Sequence, residues 1–295
     1  MKVVLFGAAG QLGTDCYQRL NAAGYEVVPL SRDQVDFSDP TAVGESILNT
    51  TPDFVINACA YTAVDRAETD AAQADLVNHL SVAEMARCCD QLQIPLLQLS
   101  TDYVFAGDGT QPYREDDSVS PLGVYGKTKL AGEVAIQQQH PKHIILRTSW
   151  VFGTHGNNFV KTMLRLGGER EQLRVVSDQW GRPTYTGDIV TAIESFLDSY
   201  QQQGELPWGI YHCSSEGETN WHEFAQTIFA EAMSANLLQR VPQVEPIPSS
   251  AYPTPAPRPH YSVLDTSKLT QFMGSPLPHW RQGLQTFFRQ QTVKG

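Results

Sequence analysis

Short apolar runs alternate, through the first half of the chain, with longer segments whose apolar residues recur at helical spacing. The apolar runs predict strands at Val3–Phe6, Glu26–Leu30, Phe54–Asn57, Leu96–Leu99 and Ile144–Leu146. The longer segments predict helices at Leu12–Leu20, Pro40–Leu48 and Ala71–Leu92. Alternating strands and helices are typical of a parallel sheet with crossover helices. The predicted fold class is therefore α/β, a doubly wound parallel sheet of about six strands.

The pattern changes after Arg147, where loops rich in Gly, Asn and Pro interrupt shorter helical stretches. Seven prolines fall within residues 242–259, too many for a helix or a central strand. An ordered loop over a binding cleft is predicted there, and a linker or tail is the alternative. The residues that favour the loop are Tyr252, Arg258, His260 and Tyr261, with a further helical segment at Pro278–Gln290. The second half is thus predicted to form a smaller, mixed domain that supplies most ligand-facing elements.

Length, charge and cysteine content narrow the class of protein. The 295 residues suffice for one large or two modest domains. The net charge of −11 argues against general attraction to nucleic acid or to an anionic membrane, so any anionic ligand must be held locally. Five cysteines without metal-ligand spacing argue against a disulfide framework and a structural zinc, and favour the cytoplasm. We expect no signal peptide and no membrane span, since no apolar run approaches roughly 18 residues.

A glycine-rich turn joins the first predicted strand to the first predicted helix. Its sequence runs Gly7-Ala8-Ala9-Gly10-Gln11-Leu12-Gly13. Small residues let the backbone approach a pyrophosphate, and the helix N-terminus supplies N–H donors. A glycine triplet alone often marks only a tight turn, but this position favours a Rossmann-type dinucleotide site that includes Gly7, Gly10, Gln11 and Leu12.

The end of the second strand bears on which dinucleotide would bind. In NAD-preferring sites an acid about 20 residues beyond the glycines bonds the ribose 2′-hydroxyl. Here Ser31 and Arg32 follow Leu30, and a hydroxyl with a guanidinium would suit a 2′-phosphate. NADPH is therefore favoured, while Asp33 and Asp36 keep NADH open as the alternative.

Tyr125 and Lys129 are four residues apart at the start of a predicted helix, so they share one face. An ammonium beside a phenol is expected to lower the tyrosine pKa towards working pH, as a general acid or base requires. Thr101 lies just beyond the carboxyl end of the fourth predicted strand, at the edge where open α/β sheets bind ligands. The three residues together predict a catalytic set, whereas YxxxK alone would indicate only a helix face.

These features resemble the extended short-chain dehydrogenase/reductase family. Finer motifs strengthen the resemblance over nearly the whole chain and lie at Gly10–Gly13 (GQLG), Asn57–Glu68 (NACAYTAVDRAE), Ser100–Phe105 (STDYVF), Tyr125–Glu133 (YGKTKLAGE), Arg147–Gly153 (RTSWVFG), Asp178–Thr184 (DQWGRPT) and Arg258–Leu269 (RPHYSVLDTSKL). They resemble the members that reduce the C4 ketone of dTDP-6-deoxy-L-lyxo-4-hexulose to dTDP-L-rhamnose. The resemblance implies NADPH or NADH as cofactor and a dTDP-sugar as substrate.

Residue roles follow from the resemblance. Tyr125 would protonate the nascent alkoxide, Lys129 would hold the nicotinamide ribose and tune the phenol, and Thr101 would orient the ketone. Further cofactor contacts are expected at Ser31, Arg32, Asp36, Ala60, Tyr61 and Thr62. Substrate contacts are expected at Val64, Asp65, Asp102, Trp150, Asn157, Asn158 and Arg258. Arg258 is the leading candidate for the diphosphate, with Arg182 and Lys161 as weaker ones.

The expected domain division assigns residues 1–150 to the cofactor-binding domain, with 184–215 returning to it. Residues 151–183 and 216–295 are then mainly substrate-binding. Some enzymes that the chain resembles hold a magnesium ion across a dimer through acidic side chains. No Asp or Glu follows Asp265, and Asp15 alone cannot form such a site, so no metal is predicted. A homodimer is the candidate oligomer, although not by that route.

Two other functions stay open on the sequence. A nucleotide-sugar dehydratase or epimerase would share the fold and the glycine turn, but dehydratases resembling this chain carry Asp-Glu after the catalytic threonine. Here the pair is Asp102-Tyr103, which lacks the base for elimination. A non-catalytic subunit similar to the β subunit of methionine adenosyltransferase would also share the fold, and intact Thr101, Tyr125 and Lys129 argue against it.

Overall fold

The computed structural model describes residues 1–292. Its strands are β1 (Lys2–Phe6), β2 (Glu26–Leu30), β3 (Phe54–Asn57), β4 (Leu96–Thr101), β5 (His143–Thr148), β6 (Val151–Phe152), β7 (Gln172–Val176), β8 (Trp180–Gly181), β9 (Thr184–Tyr185), β10 (Gly209–His212), β11 (Thr219–Asn220) and β12 (Gln243–Ile247). Its helices are α1 (Gln11–Ala22), α2 (Pro40–Thr50), α3 (Val64–Ala67), α4 (Ala71–Asp75), α5 (Ser81–Leu92), α6 (Val124–Gln139), α7 (Phe159–Glu169), α8 (Thr186–Gln203), α9 (Trp221–Ser234), α10 (Ser267–Met273) and α11 (Trp280–Thr292). None of these helices is long and apolar enough to cross a membrane.

Six parallel strands form the central sheet in the order β2-β1-β3-β4-β5-β10. The predicted α/β class with a doubly wound parallel sheet is confirmed. The strand β2 lies on one side of β1, and β3 and the later strands lie on the other side. The direction of the strand order therefore reverses between β1 and β3, which is the topological switch point. Open sheets of this kind bind ligands in the crevice at such a point, beyond the carboxyl ends of the strands.

Helices cover both faces of the sheet, as a fully parallel sheet requires. Successive residues of β1 point to opposite faces, so Val3 and Leu5 pack in one apolar cluster and Val4 and Phe6 in another. The first cluster includes residues of α1 and α8, and the second includes residues of α2 and α5. These four side chains are fully buried, which explains the continuous apolar run in the sequence.

A third apolar cluster lies outside the sheet and joins α7, α9 and α11 through Val160, Phe224 and Phe287. Near it, β12 pairs in parallel with β7. The prediction of a loop throughout residues 242–259 is therefore wrong for Gln243–Ile247. Pro246 is tolerated because the ladder has only two strands, each with a free edge.

The predicted helix Ala71–Leu92 is interrupted by a π-helical turn at Leu76–Leu80, between α4 and α5. Asn78 in this turn is 1% exposed. Its Oδ1 accepts from the Tyr61 N–H over 2.9 Å, and its Nδ2 donates to Thr128 Oγ1 over 3.1 Å. The turn thereby ties the loop after β3 to α6. Single π-turns inside helices often lie at functional sites, and this one positions two segments of the cleft described next.

Candidate active site

A cleft of about 780 Å³ opens at the carboxyl edge of the sheet, over the switch point. This volume lies in the range of small-molecule sites. Fifteen of the residues predicted for the site line the cleft: Gly7, Gly10, Gln11, Leu12, Ser31, Arg32, Ala60, Thr62, Val64, Thr101, Asp102, Tyr125, Lys129, Trp150 and Asn157. The predicted residues that do not line it are Asp36, Tyr61, Asp65, Asn158 and Arg258.

The glycine turn leaves room for a ligand against the backbone. Gly7 has a φ of 78°, and a Cβ there would lie 2.7 Å from the Cys59 nitrogen, so no other residue fits without a shift. Gly10 is the N-cap of α1 and carries no side chain to occupy the first N–H groups of the helix. Those donors are available to an anion, and the turn therefore fits the pyrophosphate of a dinucleotide.

Polar residues at the end of β2 lie at one end of the cleft. Gln34 Oε1 accepts from both the N–H and the hydroxyl of Ser31, which fixes the start of this loop. Arg32 is exposed and lines the cleft beside Ser31. Asp36 instead accepts from the Ser38 hydroxyl and N–H, which lowers the pKa of its carboxyl. Its predicted contact with a cofactor stays a prediction.

The loop after β3 divides its predicted residues between two environments. Ala60, Thr62 and Val64 line the cleft. Tyr61 lies outside it, because Asn78 binds its backbone and its hydroxyl donates to Asp70 Oδ2 over 3.0 Å. The loop thus offers small side chains to the cleft and uses its one large side chain for support.

Asp65 and Arg258, both predicted to contact substrate, contact each other. Arg258 Nη2 lies 2.8 Å from Asp65 Oδ1, and the guanidinium lies over the Tyr103 ring at 5.9 Å from its centre. Asp65 also accepts from the Ala256 N–H. The pair fastens the proline-rich segment to the loop after β3, next to the cleft wall that Tyr103 forms.

Thr101, Tyr125 and Lys129 meet in the middle of the cleft. Thr101 ends β4, and its hydroxyl lies beside the Tyr125 phenol. The same hydroxyl donates to Asp102 Oδ1 over 3.0 Å and accepts from the Tyr103 N–H over 3.2 Å.

The pKa of Tyr125 is raised, mainly by burial, although the nearby Thr101 hydroxyl opposes the shift. The expectation that Lys129 lowers this pKa is wrong, because the ammonium donates to the Leu99 carbonyl over 2.6 Å instead. Burial lowers the pKa of Lys129 itself to about 8, and Glu133 opposes that shift. Tyr125 is therefore a protonated phenol near neutral pH, which is the state required of a proton donor.

A buried ion pair supports α6 beneath the cleft. Glu133 lies one turn after Lys129 and accepts from the Ser100 hydroxyl over 2.5 Å. Arg147 of β5 donates to both Glu133 oxygens, with its closest contact at 2.7 Å. Because Ser100 precedes Thr101, this cluster fixes α6 against the ends of β4 and β5. Sequence reasoning missed it, although Glu133 and Arg147 lie in two of the motifs.

Close backbone approach also positions α6. A Cβ at Gly126 would lie 2.3 Å from the Tyr103 carbonyl oxygen, so only glycine lets the helix start touch the turn after β4. That contact places the Tyr103 ring against Tyr125, with edge-to-face geometry and centres 5.7 Å apart. Tyr103 lines the cleft and was not predicted as a site residue.

The far wall of the cleft is aromatic. Trp150 has a φ of 44°, and its ring stacks on Trp221 with centres 3.5 Å apart. Trp221 was missed, because nothing in its local sequence indicates a partner in another element. Asn157 lines the cleft, whereas Asn158 caps α7 by accepting from the Lys161 N–H and donates to Gln11 Oε1 over 2.6 Å.

The residues near Asp15 do not form the oxygen cage that magnesium requires. Asp15 accepts from the Thr186 hydroxyl and lies 3.4 Å from His155 Nε2. Within residues 1–292 no group of three His, Cys, Asp or Glu side chains is arranged to hold a metal ion.

A parallel sheet with this glycine turn and with Thr101, Tyr125 and Lys129 at its carboxyl edge defines an extended short-chain dehydrogenase/reductase. Residues 1–293 match the family described as the RmlD substrate binding domain. The chain is 41% identical over 287 residues to a dTDP-4-dehydrorhamnose reductase of Salmonella typhimurium, with 96% of each chain covered. The chain belongs to this family, and the resemblance drawn from the motifs is confirmed.

Solved structures agree with the sequence comparison. A dTDP-4-dehydrorhamnose reductase of Bacillus anthracis, in complex with NADP, is 35% identical, with a TM-score of 0.90 over 98% of this chain and 99% of that chain. A second, from Clostridium acetobutylicum, is 34% identical, with a TM-score of 0.91 over 99% of each chain. The similarity covers both the sheet and the smaller C-terminal elements.

Proposed function

We propose that the protein is an NADPH-dependent reductase of the C4 ketone of dTDP-6-deoxy-L-lyxo-4-hexulose, with dTDP-L-rhamnose as its product. The observation that carries the proposal is that Thr101, Tyr125 and Lys129 line the same cleft as the glycine turn. The raised pKa of Tyr125 keeps its phenol protonated. The 41% identity to a reductase of that name supports the choice of substrate.

The glycine turn and the N-terminus of α1 would hold the pyrophosphate of NADPH, and Arg32 would hold its 2′-phosphate. NADPH supplies the hydride when bound. Tyr125 donates its phenolic proton to the developing alkoxide, and Thr101 orients both the ketone oxygen and the phenol. Lys129 provides a cation at the base of the cleft, where the nicotinamide ribose would lie. The chain's own task is to position the ketone and to deliver the proton.

The substrate would occupy the side of the cleft formed by Val64, Trp150 and Asn157. Its diphosphate needs a local cation, because the net charge of the chain is −11. Arg258 is oriented by Asp65 and is the cation that we assign to the diphosphate, with Arg182 as a second candidate. The compartment that we propose is the cytoplasm, since all five cysteines are buried free thiols. A homodimer stays the predicted oligomer.

The geometry favours a reductase over a dehydratase. Elimination of water needs a base after Asp102, and the residue there is Tyr103, whose phenol has its pKa raised by burial to about 12. Tyr103 instead packs against Tyr125 and Arg258. The presence of Thr101, Tyr125 and Lys129 together in the cleft likewise argues against a purely regulatory subunit.

Turnover of the dTDP-keto-sugar tests the proposal. Purified protein with NADPH and dTDP-6-deoxy-L-lyxo-4-hexulose is expected to oxidise NADPH and to form dTDP-L-rhamnose, identified by NMR of the sugar ring. Cofactor binding without turnover would favour the regulatory reading. Conversion of a dTDP-hexose with loss of water and no net oxidation of NADPH would favour the dehydratase.

Arg32→Ala is expected to raise the KM for NADPH by about 10- to 150-fold and to change the KM for NADH far less. The variant removes one charge-assisted contact to the 2′-phosphate, worth roughly 1.5–3 kcal/mol. Initial rates at varied cofactor concentration measure both constants. Arg114→Ala, at an exposed arginine outside the cleft, is the control and should alter neither constant. Equal effects of Arg32→Ala on both cofactors would remove Arg32 from 2′-phosphate recognition.

A further inference from the structure

Trp150 forms part of the cleft wall in a backbone conformation that its surroundings must hold. Its φ of 44° lies in the left-handed region, which a bulky residue adopts only when neighbouring structure over-determines it. The strand that follows, β6, has two residues and pairs only with the two residues of β9. The position of the Trp150 indole therefore depends on side chains and backbone from other elements.

Trp221 covers the Trp150 indole. The two rings are nearly parallel, with an angle of 9° between their planes and with centres 3.5 Å apart. Rings at this separation are in van der Waals contact, so no ligand fits between them. Trp221 itself does not line the cleft. Any effect of Trp221 on a ligand in the cleft must therefore pass through Trp150.

A two-stranded ladder brings a second contact to the same indole. The strands β8 and β11 pair in antiparallel fashion, with Gly181 opposite Thr219, and α9 begins at Trp221 directly after β11. A Cβ at Gly181 would lie 2.6 Å from Cε2 of Trp150, so only glycine lets β8 approach the indole this closely. The ladder thus supplies one contact from β8 and one from the helix that continues β11.

The orientation of the Trp221 ring is fixed in turn. Its Nε1 donates to Gln179 Oε1 over 3.1 Å, and Gln179 Nε2 donates to Ser249 Oγ over 2.9 Å. Phe159 packs against the same ring, with centres 4.7 Å apart. Because a hydrogen bond and a packed ring both restrain Trp221, it has little freedom to turn and can hold Trp150 in one position.

Trp280 provides a comparison within the same apolar cluster. Trp280 is 1% exposed and packs edge-to-face on Phe224, with centres 5.4 Å apart, as a core residue does. Trp221 is instead half-buried and packs at the edge of this cluster, next to Trp150. This location suits a residue that supports a ligand-binding surface as well as the core.

We propose that Trp221 is a positioning residue for the substrate, which holds the Trp150 indole in place as a wall for the sugar ring. The inference rests on the proposed function, in which Trp150 contacts the dTDP-keto-sugar. That substrate is a 6-deoxy sugar, whose methyl group and C–H bonds present apolar surface that an indole can cover. The wall contacts the sugar before and after hydride transfer, so it contributes to binding more than to the chemical step.

Trp221→Ala is expected to raise the KM for the dTDP-keto-sugar by roughly 3- to 10-fold, as loss of one stacked aromatic pair predicts. The kcat should change little, because the wall acts alike on substrate and transition state. The affinity for NADPH, measured by fluorescence titration, should also be unchanged, since Trp221 supports the substrate side of the cleft. A variant that merely lost folded protein would show a lower kcat at an unchanged KM.

Two further variants make this result specific. Trp221→Phe keeps a flat ring against Trp150 and should restore a KM close to that of the wild type. Trp208→Ala is the matched control, because Trp208 is also half-buried, lies outside the cleft and packs against the apolar cluster of the sheet. It should alter neither KM nor kcat.

A double-mutant cycle tests whether Trp221 acts through Trp150. Trp150→Ala should itself raise the KM for the dTDP-keto-sugar. In that background Trp221→Ala should raise the KM no further, because the indole that it positions is absent. Circular dichroism gives a measurement that does not depend on activity, since two stacked indoles couple their transitions. The resulting couplet should be lost in Trp221→Ala and in Trp150→Ala and kept in Trp208→Ala.

An unchanged KM in Trp221→Ala, or equal increases with and without Trp150, would overturn the inference. If Trp221→Ala does not fold, Trp221→Leu keeps an apolar side chain in the cluster and takes its place, with the same expected outcomes. Failure of the wild-type enzyme to convert the dTDP-keto-sugar would instead refute the proposed function.

Discussion

Tyr125→Phe is expected to lower kcat by about 10²–10⁴-fold while NADPH still binds with nearly unchanged affinity. The substitution deletes one hydroxyl and keeps the ring, whose contact with Tyr103 at 5.7 Å does not involve that hydroxyl. The phenol lies beside Thr101, and its raised pKa keeps the proton in place until the alkoxide forms. Without it the alkoxide must take its proton from water, and general acid catalysis is lost. Fluorescence titration with NADPH measures the cofactor affinity, and timed formation of dTDP-L-rhamnose measures kcat.

Two further variants make the Tyr125→Phe result specific. Lys129→Ala removes a buried cation at the base of the cleft, so it should weaken NADPH binding as well as kcat. Tyr200→Phe removes a phenol outside the cleft and should change neither. A Tyr125→Phe enzyme with kcat near that of the wild type would show that another group supplies the proton.

The central sheet could be predicted because its strands are buried on both faces and read as continuous apolar runs. The bounds of β2 and β3 agree with the predicted runs, and β4 extends two residues further, to Thr101. The short strands β6 and β9 have two residues each, too few for any periodicity to show. The strand β12 was missed for another reason, since Pro246 argues against a strand unless the ladder has a free edge.

In the site, local features were predictable and tertiary contacts were not. The glycine turn follows from one strand-to-helix connection, and the spacing of Tyr125 and Lys129 follows from helix geometry. The direction of the Lys129 ammonium depends on where the Leu99 carbonyl lies, which only the packed fold determines. The same holds for the ion pair of Asp65 with Arg258, whose members are distant in the chain.

Glu133→Ala is expected to lower the free energy of unfolding by about 3–5 kcal/mol. Glu133 and Arg147 are almost completely buried, and the carboxylate is the partner of both the guanidinium and the Ser100 hydroxyl. Removing the carboxylate leaves Arg147 as a buried, uncompensated charge. Loss of one partner of a buried ion pair strongly destabilises the folded state for this reason. Urea unfolding followed by circular dichroism gives the free energy, with the slope against urea checked for a two-state transition.

An exposed pair provides the control for Glu133→Ala. Arg165 and Glu169 form an ion pair on α7 at 2.9 Å, with side chains 61% and 52% exposed. Glu169→Ala should cost less than about 1 kcal/mol, because solvent screens the charges and no group is left buried. A loss for Glu133→Ala as small as that for Glu169→Ala would mean that water reaches Arg147. The cluster beneath Thr101 and Lys129 would then not be what fixes α6 against the sheet.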